Sequence, residues 1–356
     1  MKRGNMSCSK NNLALTYDDI LLIPNYSDIQ SRSEVSIANK LSDEIELEVP
    51  IFSAPMDTVS GLDMAESISR LGGCAIIHRY NTIPEQVTLV REAKRNGTKF
   101  VGAAVGATGD FDERAFALTA AGADFICIDI AHGHHMHMKN AIDKLKQNSN
   151  IKHVMAGNVA TSDAYEDLAG WGADSVKVGI GNGSICSTRL NTGHGVPSVT
   201  ALQDCARSKK SYFYACGQKA PAIIADGGIK NSGDIVKALA VGADFVMLGS
   251  MLAGTKEAPG ELLSTANGMR KVYRGMASRE AQNDWRGKSS APEGISTTIP
   301  YKGELEPLFM DIVGGIKSGF SYTGARSIDE FKRLAKYVQQ TTAGQHESWT
   351  HILSKA

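Results

Sequence analysis

The stretch GIGNGSICSTR, residues 179–189, is where this sequence first offers reactive chemistry. Glycines alternate through its first half, and Cys186 then stands among Ser184, Ser187 and Thr188, with Arg189 behind. Three readings fit: a loop that cradles a phosphate, a loop that presents a thiol, or a flexible connection. The order is not G-x-G-x-x-G and no first βα turn precedes it, so the dinucleotide fingerprint does not apply. A Walker loop is missing too, because RGKSS (286–290) has Gln282 where the first glycine belongs. Cys74 and Cys127 lie in the apolar runs GGCAIIH and ADFICIDI and read as buried, inert thiols. Cys186 lies among small polar residues instead. A thiol exposed near helix N-termini and a bound cation can have a lowered pKa and attack an electrophile. Composition alone leaves a nucleophile and a solvent-facing structural cysteine equally open.

Two glycine-bearing segments offer a different chemistry. IADGGI (224–229) and MLGSM (247–251) each follow an apolar run. Glycine lets backbone N–H groups approach a phosphate closely, and barrels commonly hold a phosphate between their last two strand ends. A pair of tight turns is the plain alternative, and the coincidence of both segments with that expected place favours phosphate. HGHHMHM (132–138) is rich in histidine, but its spacing matches no zinc pattern and no acidic residue is interleaved, so it reads as a polar loop at a strand end.

The elements that must position these residues are eight short apolar runs at 49–57, 73–78, 99–106, 124–133, 153–158, 174–181, 221–228 and 244–250. Their β-branched content without a 3.6-residue period marks buried parallel strands. Stretches such as IPEQVTLVREAKRNG and SGDIVKALAVGA supply helices between them. Gly-Ala-Asp recurs at 122–124, 172–174 and 242–244, each time just before a strand, where the glycine can end a helix in the left-handed conformation. Alternating β and α units in this number predict an α/β fold of the TIM (β/α)8 barrel type, with an open doubly wound sheet as its rival. The barrel requires chemistry at the C-terminal strand ends, which is where Ser53 to Asp57, His78, Arg79, Asp129 to His132, Asn158, the Cys186 loop, Asp226 to Gly228, Gly249 and Ser250 fall. The whole chain, 1–356, reads as one catalytic barrel domain. DDILLIP in the N-terminal extension is expected to plug the barrel bottom. Residues 270–325 are expected to form an excursion over the mouth. SIDEFKRLAKYVQQ (327–340) is expected as a last helix, with Ser327 and Glu330 as a capping box.

Bulk properties narrow the class of partner. Lys plus Arg and Asp plus Glu balance at 38 each and aromatics make up 6%, which gives no field or stacking surface for nucleic acid. The run ALAVGADFVMLGSMLAG carries Asp244 and is not a membrane span, and MKRGNMSCSKNN lacks an apolar segment of the secretory kind. No Cys-x-x-Cys pair occurs among the six cysteines. The expectation is a cytoplasmic protein with no membrane and no nucleic-acid partner.

Taken together, LTYDDILLIP, SAPMDTVS, MAGNVAT, VKVGIGNGSICSTR, ADGGI, LGSMLAG and YRGMAS, in that order from about Leu15 to Arg326, resemble the IMP dehydrogenase/GMP reductase family. The resemblance implies a TIM barrel, a homotetramer, a purine 5′-monophosphate (GMP or IMP) and a nicotinamide cofactor. At the matching positions it makes Cys186 the nucleophile, with Thr188 and Glu293 as an acid/base pair. It implies a substrate site of Ser53, Met56, Ser184, Asp226, Gly227, Gly228, Gly249, Ser250, Tyr273, Gly275, Met276 and Ala277. Within it, Asp226 serves the ribose hydroxyls, and N–H groups of Gly228, Gly249 and Ser250 the phosphate. It implies cofactor contacts from His78, Arg79, Asp129, Ala131 and Gly179, and a monovalent cation such as K⁺ on the carbonyls of Gly181, Gly183 and Cys186.

Within the family, three features resemble the reductases. QSRSEVSI (30–37) is like their N-terminal segment, only a helix-sized stretch separates IIHRYNT from KFVGAAVG where most dehydrogenases insert a CBS pair, and the segment 275–294 is short and has no Tyr. Dehydrogenases carry a longer flap there, with an Arg-Tyr pair that activates water. Ser250, AHGH (131–134) and Pro292 before Glu293 are dehydrogenase-like. Arg79, Asn182, Ser187, Ser289 and Ser290 depart from the usual residues. Loss of the water-activating pair removes chemistry, whereas loop substitutions retune binding. The resemblance therefore implies NADPH-dependent reduction of GMP to IMP and ammonia, and the alternative is NAD-dependent oxidation of IMP.

Overall fold

The structure is a computed structural model describing residues 13–350 except 218 and 290; the side chains of 213–216 and 286 are also outside the described part. The segment 1–12 with Cys8, the thiol of Cys216, the Arg286 side chain and Ser290 therefore lie outside the described residues.

Eight parallel strands close into a barrel: β1 Ile51–Ser53, β2 Cys74–Ile77, β3 Val101–Val105, β4 Phe125–Asp129, β5 Val154–Val159, β6 Ser175–Val178, β7 Ala222–Asp226 and β8 Phe245–Leu248. Seven lie inside their apolar runs, and β5 extends one residue beyond the run 153–158. The barrel, not the open sheet, is formed because β8 pairs back onto β1, with Val246, Met247 and Leu248 opposite Ile51, Phe52 and Ser53. Side chains alternate between two cores, as strand geometry requires. Phe52, Ile76, Phe125, Met155, Phe245 and Met247 fill the interior, while Ile51, Ile126, Val176, Ile223 and Val246 face the surrounding helices.

The Gly-Ala-Asp repeat is a repeated joint. Its glycines have φ of +105°, +101° and +121° and end the preceding helix. The aspartate that follows folds back onto the neighbouring strand. Asp124 accepts the N–H of Val101, Asp174 that of Val154 and Asp244 that of Ile223, each at 2.7 Å. A helix-borne lysine pairs with each carboxylate: Lys94, Lys146 and Lys209.

Three expectations about the extensions are corrected. The barrel floor is closed not by DDILLIP but by the hairpin of Asn39–Lys40 and Glu46–Leu47, which inserts Leu41, Ile45 and Leu47 beneath Phe52 and Phe245. Ile20–Ile23 of DDILLIP instead pairs antiparallel with Lys336–Gln339 on the outside. The last helix accordingly stops at Leu334. Ser327 does cap it, accepting the Glu330 N–H, but the Glu330 carboxylate accepts from the Arg326 N–H rather than completing the box. The excursion also divides. A three-stranded antiparallel sheet (Leu262–Thr265, Gly268–Arg274, Ser296–Pro300) carries helix Arg279–Arg286, whereas Leu305–Thr323 is a barrel-wall helix. Its buried stripe of Leu305, Phe309, Ile312, Ile316 and Phe320 has the 3- and 4-residue spacing of a helix face packed on the core. Among the described residues no helix is long and apolar enough to cross a membrane.

Candidate active site

The Cys186 loop leaves the end of β6, and Gly179 makes its departure possible. Gly179 has φ +152°, and a Cβ there would stand 1.9 Å from the carbonyl oxygen of Asp226, so no L side chain fits. The loop then turns, with the Cys186 N–H donating to Gly183 O at 3.1 Å, and runs into the short helix Thr188–Thr192. The Cys186 thiol lies 3.2 Å from Thr188 Oγ1, and the Thr188 hydroxyl donates to Glu293 Oε2 at 2.7 Å. A thiol, a hydroxyl and a carboxylate thus form one proton path.

Glu293 reaches the loop because the excursion is strapped across it. Ser187 N–H donates to Glu293 O at 2.9 Å and Ile295 N–H to Ile185 O at 3.0 Å, and Asn191 Nδ2 donates to Pro292 O at 2.6 Å. The excursion is also fixed to the barrel rim. Arg274 pairs with Asp57 at 2.6 Å and with Asp284 of helix Arg279–Arg286 at 2.5 Å. Trp285 of that helix packs 6.1 Å from the Tyr80 ring and 5.8 Å from the Arg114 guanidinium.

Two cavities meet at Cys186 and Thr188. The inner one, about 220 Å³, is bounded by Met56, Ser184, Asp226 to Gly228, Gly249, Ser250, Tyr273, Gly275 to Ala277 and Glu293. The outer one, about 420 Å³, is bounded by Arg79, Tyr80, Asp129, Ala131, Asn158, Gly179, Gly181, Gly183 and Gln282. Cys186, Thr188, Ala131, Asp226, Met276 and Ala277 border both. Two ligands could therefore lie on either side of the thiol. The Tyr273 hydroxyl is buried near Ser184 Oγ at 3.4 Å; burial raises its pKa, so it stays protonated and can donate. A larger cleft of about 730 Å³ lies at the opposite, N-terminal end of the strands around Lys209 and Lys332. It contains none of the nominated residues, and barrel chemistry belongs to the other end.

Two nominated residues are not brought to the cavity walls. Ser53 is fully buried and shares a 2.7 Å hydrogen bond with Ser60. His78 is buried within the field of Asp57 and Arg274, and desolvation lowers its pKa. Two contributors went unassigned. Asn182 Nδ2 donates to Ser198 Oγ at 2.9 Å and Gly227 O at 3.3 Å, tying the thiol loop to the glycine turn. Lys177, on β6, is 1% exposed and ion-pairs with Asp129 and Asp226, so it links an outer-cavity carboxylate to one that borders both cavities. Burial opposes its charge, but the two carboxylates prevail and hold its pKa above the ordinary lysine value. Asn158 Nδ2 donates to Asp226 Oδ2 at 2.8 Å and completes the cluster. The signal was present: a lysine inside the apolar run DSVKVGIG must find a carboxylate when buried.

Two histidines of HGHHMHM are otherwise engaged: His134 Nε2 lies 2.8 Å from Asp167, and His135 caps helix Met136–Lys146. Among the described residues no group of three His, Cys, Asp or Glu is arranged to hold a metal ion.

Comparison with known proteins decides the family. The family model for the IMP dehydrogenase / GMP reductase domain matches residues 14–351. The chain belongs to this family. It is an oxidoreductase of the IMP dehydrogenase/GMP reductase type, a family that uses NAD(P)H. It is 39% identical to an inosine-5′-monophosphate dehydrogenase from Cryptosporidium parvum, covering 95% of this chain and 94% of that protein. It is 32% identical to a GMP reductase from Leishmania major, covering 96% and 97%. Its fold matches the crystal structure of a GMP reductase from Trypanosoma brucei in complex with guanosine 5′-monophosphate. That match has a TM-score of 0.89 and 31% identity and covers 95% of this chain and 98% of the other.

Proposed function

We propose that this family member is a GMP reductase: GMP, NADPH and a proton give IMP, ammonia and NADP⁺. The observation that carries the reading is the Cys186–Thr188–Glu293 path, with separations of 3.2 and 2.7 Å. The purine C2 is electrophilic because it lies between two ring nitrogens. Cys186 sulfur bonds to C2, and the thiol proton passes through Thr188 to Glu293. Glu293 returns that proton to the departing amino group, which leaves as ammonia and gives a covalent thioimidate on Cys186. The nicotinamide, when bound, would supply a hydride to C2, and the sulfur leaves as a thiolate that takes up the proton consumed in the overall reaction.

Asp226 would take the ribose hydroxyls, and the N–H groups of Gly228, Gly249 and Ser250 the phosphate. The outer cavity fits a nicotinamide ribose because Asp129 borders it and the space opens onto Cys186. Carbonyls of Gly181, Gly183 and Cys186 are neutral oxygen donors of the kind a monovalent cation takes. The binding of guanosine 5′-monophosphate by a relative of matching fold supports the substrate class.

A second reading, IMP dehydrogenase, is favoured by the 39% identical relative of that name and by Ser250 and Pro292. It requires a water-activating group, and segment 275–294 contains no tyrosine. Absorbance of the reduced nicotinamide separates the two. Enzyme with GMP and NADPH should consume NADPH; a gain of NADH with IMP and NAD⁺, and no loss in the first mixture, would overturn the reductase.

A further inference from the structure

The turn that carries Gly249 and Ser250 is held from behind by an ammonium group. Lys302 Nζ donates to Ser250 O at 2.6 Å and to Met251 O at 2.9 Å. Its own backbone N–H donates to Gly254 O at 2.9 Å, and the Lys256 N–H returns to Gly303 O at 2.8 Å, so the end of the excursion lies along the turn. A second ammonium, Lys271, grips the continuation of the same segment through Thr255 O and Ala258 O at 3.1 and 2.5 Å. Desolvation lowers the pKa of Lys302, and no carboxylate counters it.

The peptide geometry gives this contact a consequence. Carbonyl and N–H point in opposite directions across a trans peptide. Fixing Ser250 O toward Lys302 therefore turns the Met251 N–H away from it. The Leu252 and Ala253 N–H groups both donate to Gly249 O, which aligns the peptides of the turn in one sense. Its first N–H groups are left without partners inside the turn. Gly249 and Ser250 border the inner cavity, whereas Lys302 is not among its lining residues.

We infer that Lys302 is a positioning residue for the nucleotide phosphate: it grips the carbonyl side of the Gly249–Met251 turn so that the N–H side meets the phosphate. The inference rests on the reading of Gly249 and Ser250 as phosphate donors. The full-length Lys302→Met variant is titrated with GMP and with guanosine, which has the same base and sugar but no phosphate, and kcat and KM are measured. GMP binding should weaken about tenfold or more, since hydrogen bonds to a charged group are lost. Guanosine binding and kcat should stay near wild type, and Lys302→Arg should recover part of the loss. Equal weakening for GMP and guanosine, or none for either, overturns the inference. Should Lys302→Met not fold, Lys302→Gln, which keeps a donor without the charge, is judged by the same comparison. Wild-type enzyme binding guanosine as tightly as GMP would overturn the phosphate reading itself and this inference with it.

Discussion

Cys186 differs from the other described cysteines in its surroundings. Cys74 and Cys205 are buried thiols with pKa values raised by desolvation, and burial pushes Cys127 up to about 12. All three are inert at neutral pH. Cys186 is part-buried, borders both cavities and has a hydroxyl-carboxylate path attached. Cys186→Ala should abolish turnover while GMP binding, followed by calorimetry, stays largely intact; retained activity would sink the covalent mechanism. Glu293→Gln keeps an acceptor for Thr188 but cannot shuttle a proton. It should lower kcat by roughly 10²–10⁴ with little change in nucleotide affinity. The strand-end placement of Cys186 and Asp226 was legible in sequence, but the choice of Cys186 as nucleophile needed the family resemblance. Ser53 was not, because whether its hydroxyl faces a cavity or Ser60 depends on how β1 packs.

At the scale of elements, the Gly-Ala-Asp joints repeat one interaction at three depths. Asp244 is the most enclosed, with a side chain 13% exposed between Lys209 and Lys332. Burial alone would raise its pKa; the two lysines and the Ile223 N–H hold it well below the carboxylate range. Asp124 makes the same strand contact, but its side chain is 22% exposed and pairs with one lysine. Asp244→Ala should therefore destabilise by about 3–5 kcal/mol, because it strands two lysines and a buried N–H. Asp124→Ala should cost less, about 1–2 kcal/mol. Denaturant midpoints of the two variants test the order, and equal losses would refute the depth argument. The repeat itself was visible in sequence. The identity of the floor hairpin was not: ILLI is the apolar run, whereas LSDEIEL (41–47) scatters Leu41, Ile45 and Leu47 among acidic residues, and pairing with Lys336–Gln339 removed the first from the barrel.

Over the whole molecule, acid should act through His153 in the barrel. This residue is 2% exposed and hydrogen-bonded to Ser175 at 2.8 Å, and burial lowers its pKa to about 4. Unfolded, it titrates near 6.5, so between pH 6.5 and 4 the unfolded chain binds the extra proton and stability falls as pH falls. By pH 4 the loss is roughly 3 kcal/mol from this group. His153→Gln should flatten that part of a melting-temperature profile against pH, and an unchanged slope would show that other groups dominate.

Sequence by itself determined the eight strands, their helices and the side of the barrel that bears chemistry. Those follow from local patterns: apolar runs of strand length, glycines at helix ends and small residues at strand ends. Motif order added the family. Tertiary structure decided what joins those parts. Thr188 and Glu293 stand 105 positions apart and meet because two backbone hydrogen bonds and one from the Asn191 side chain strap the excursion onto the Cys186 loop. Lys177 found its carboxylates on β4 and β7 only once the barrel closed around it. No local pattern encodes such meetings, because each is fixed by the path of distant segments through a shared core.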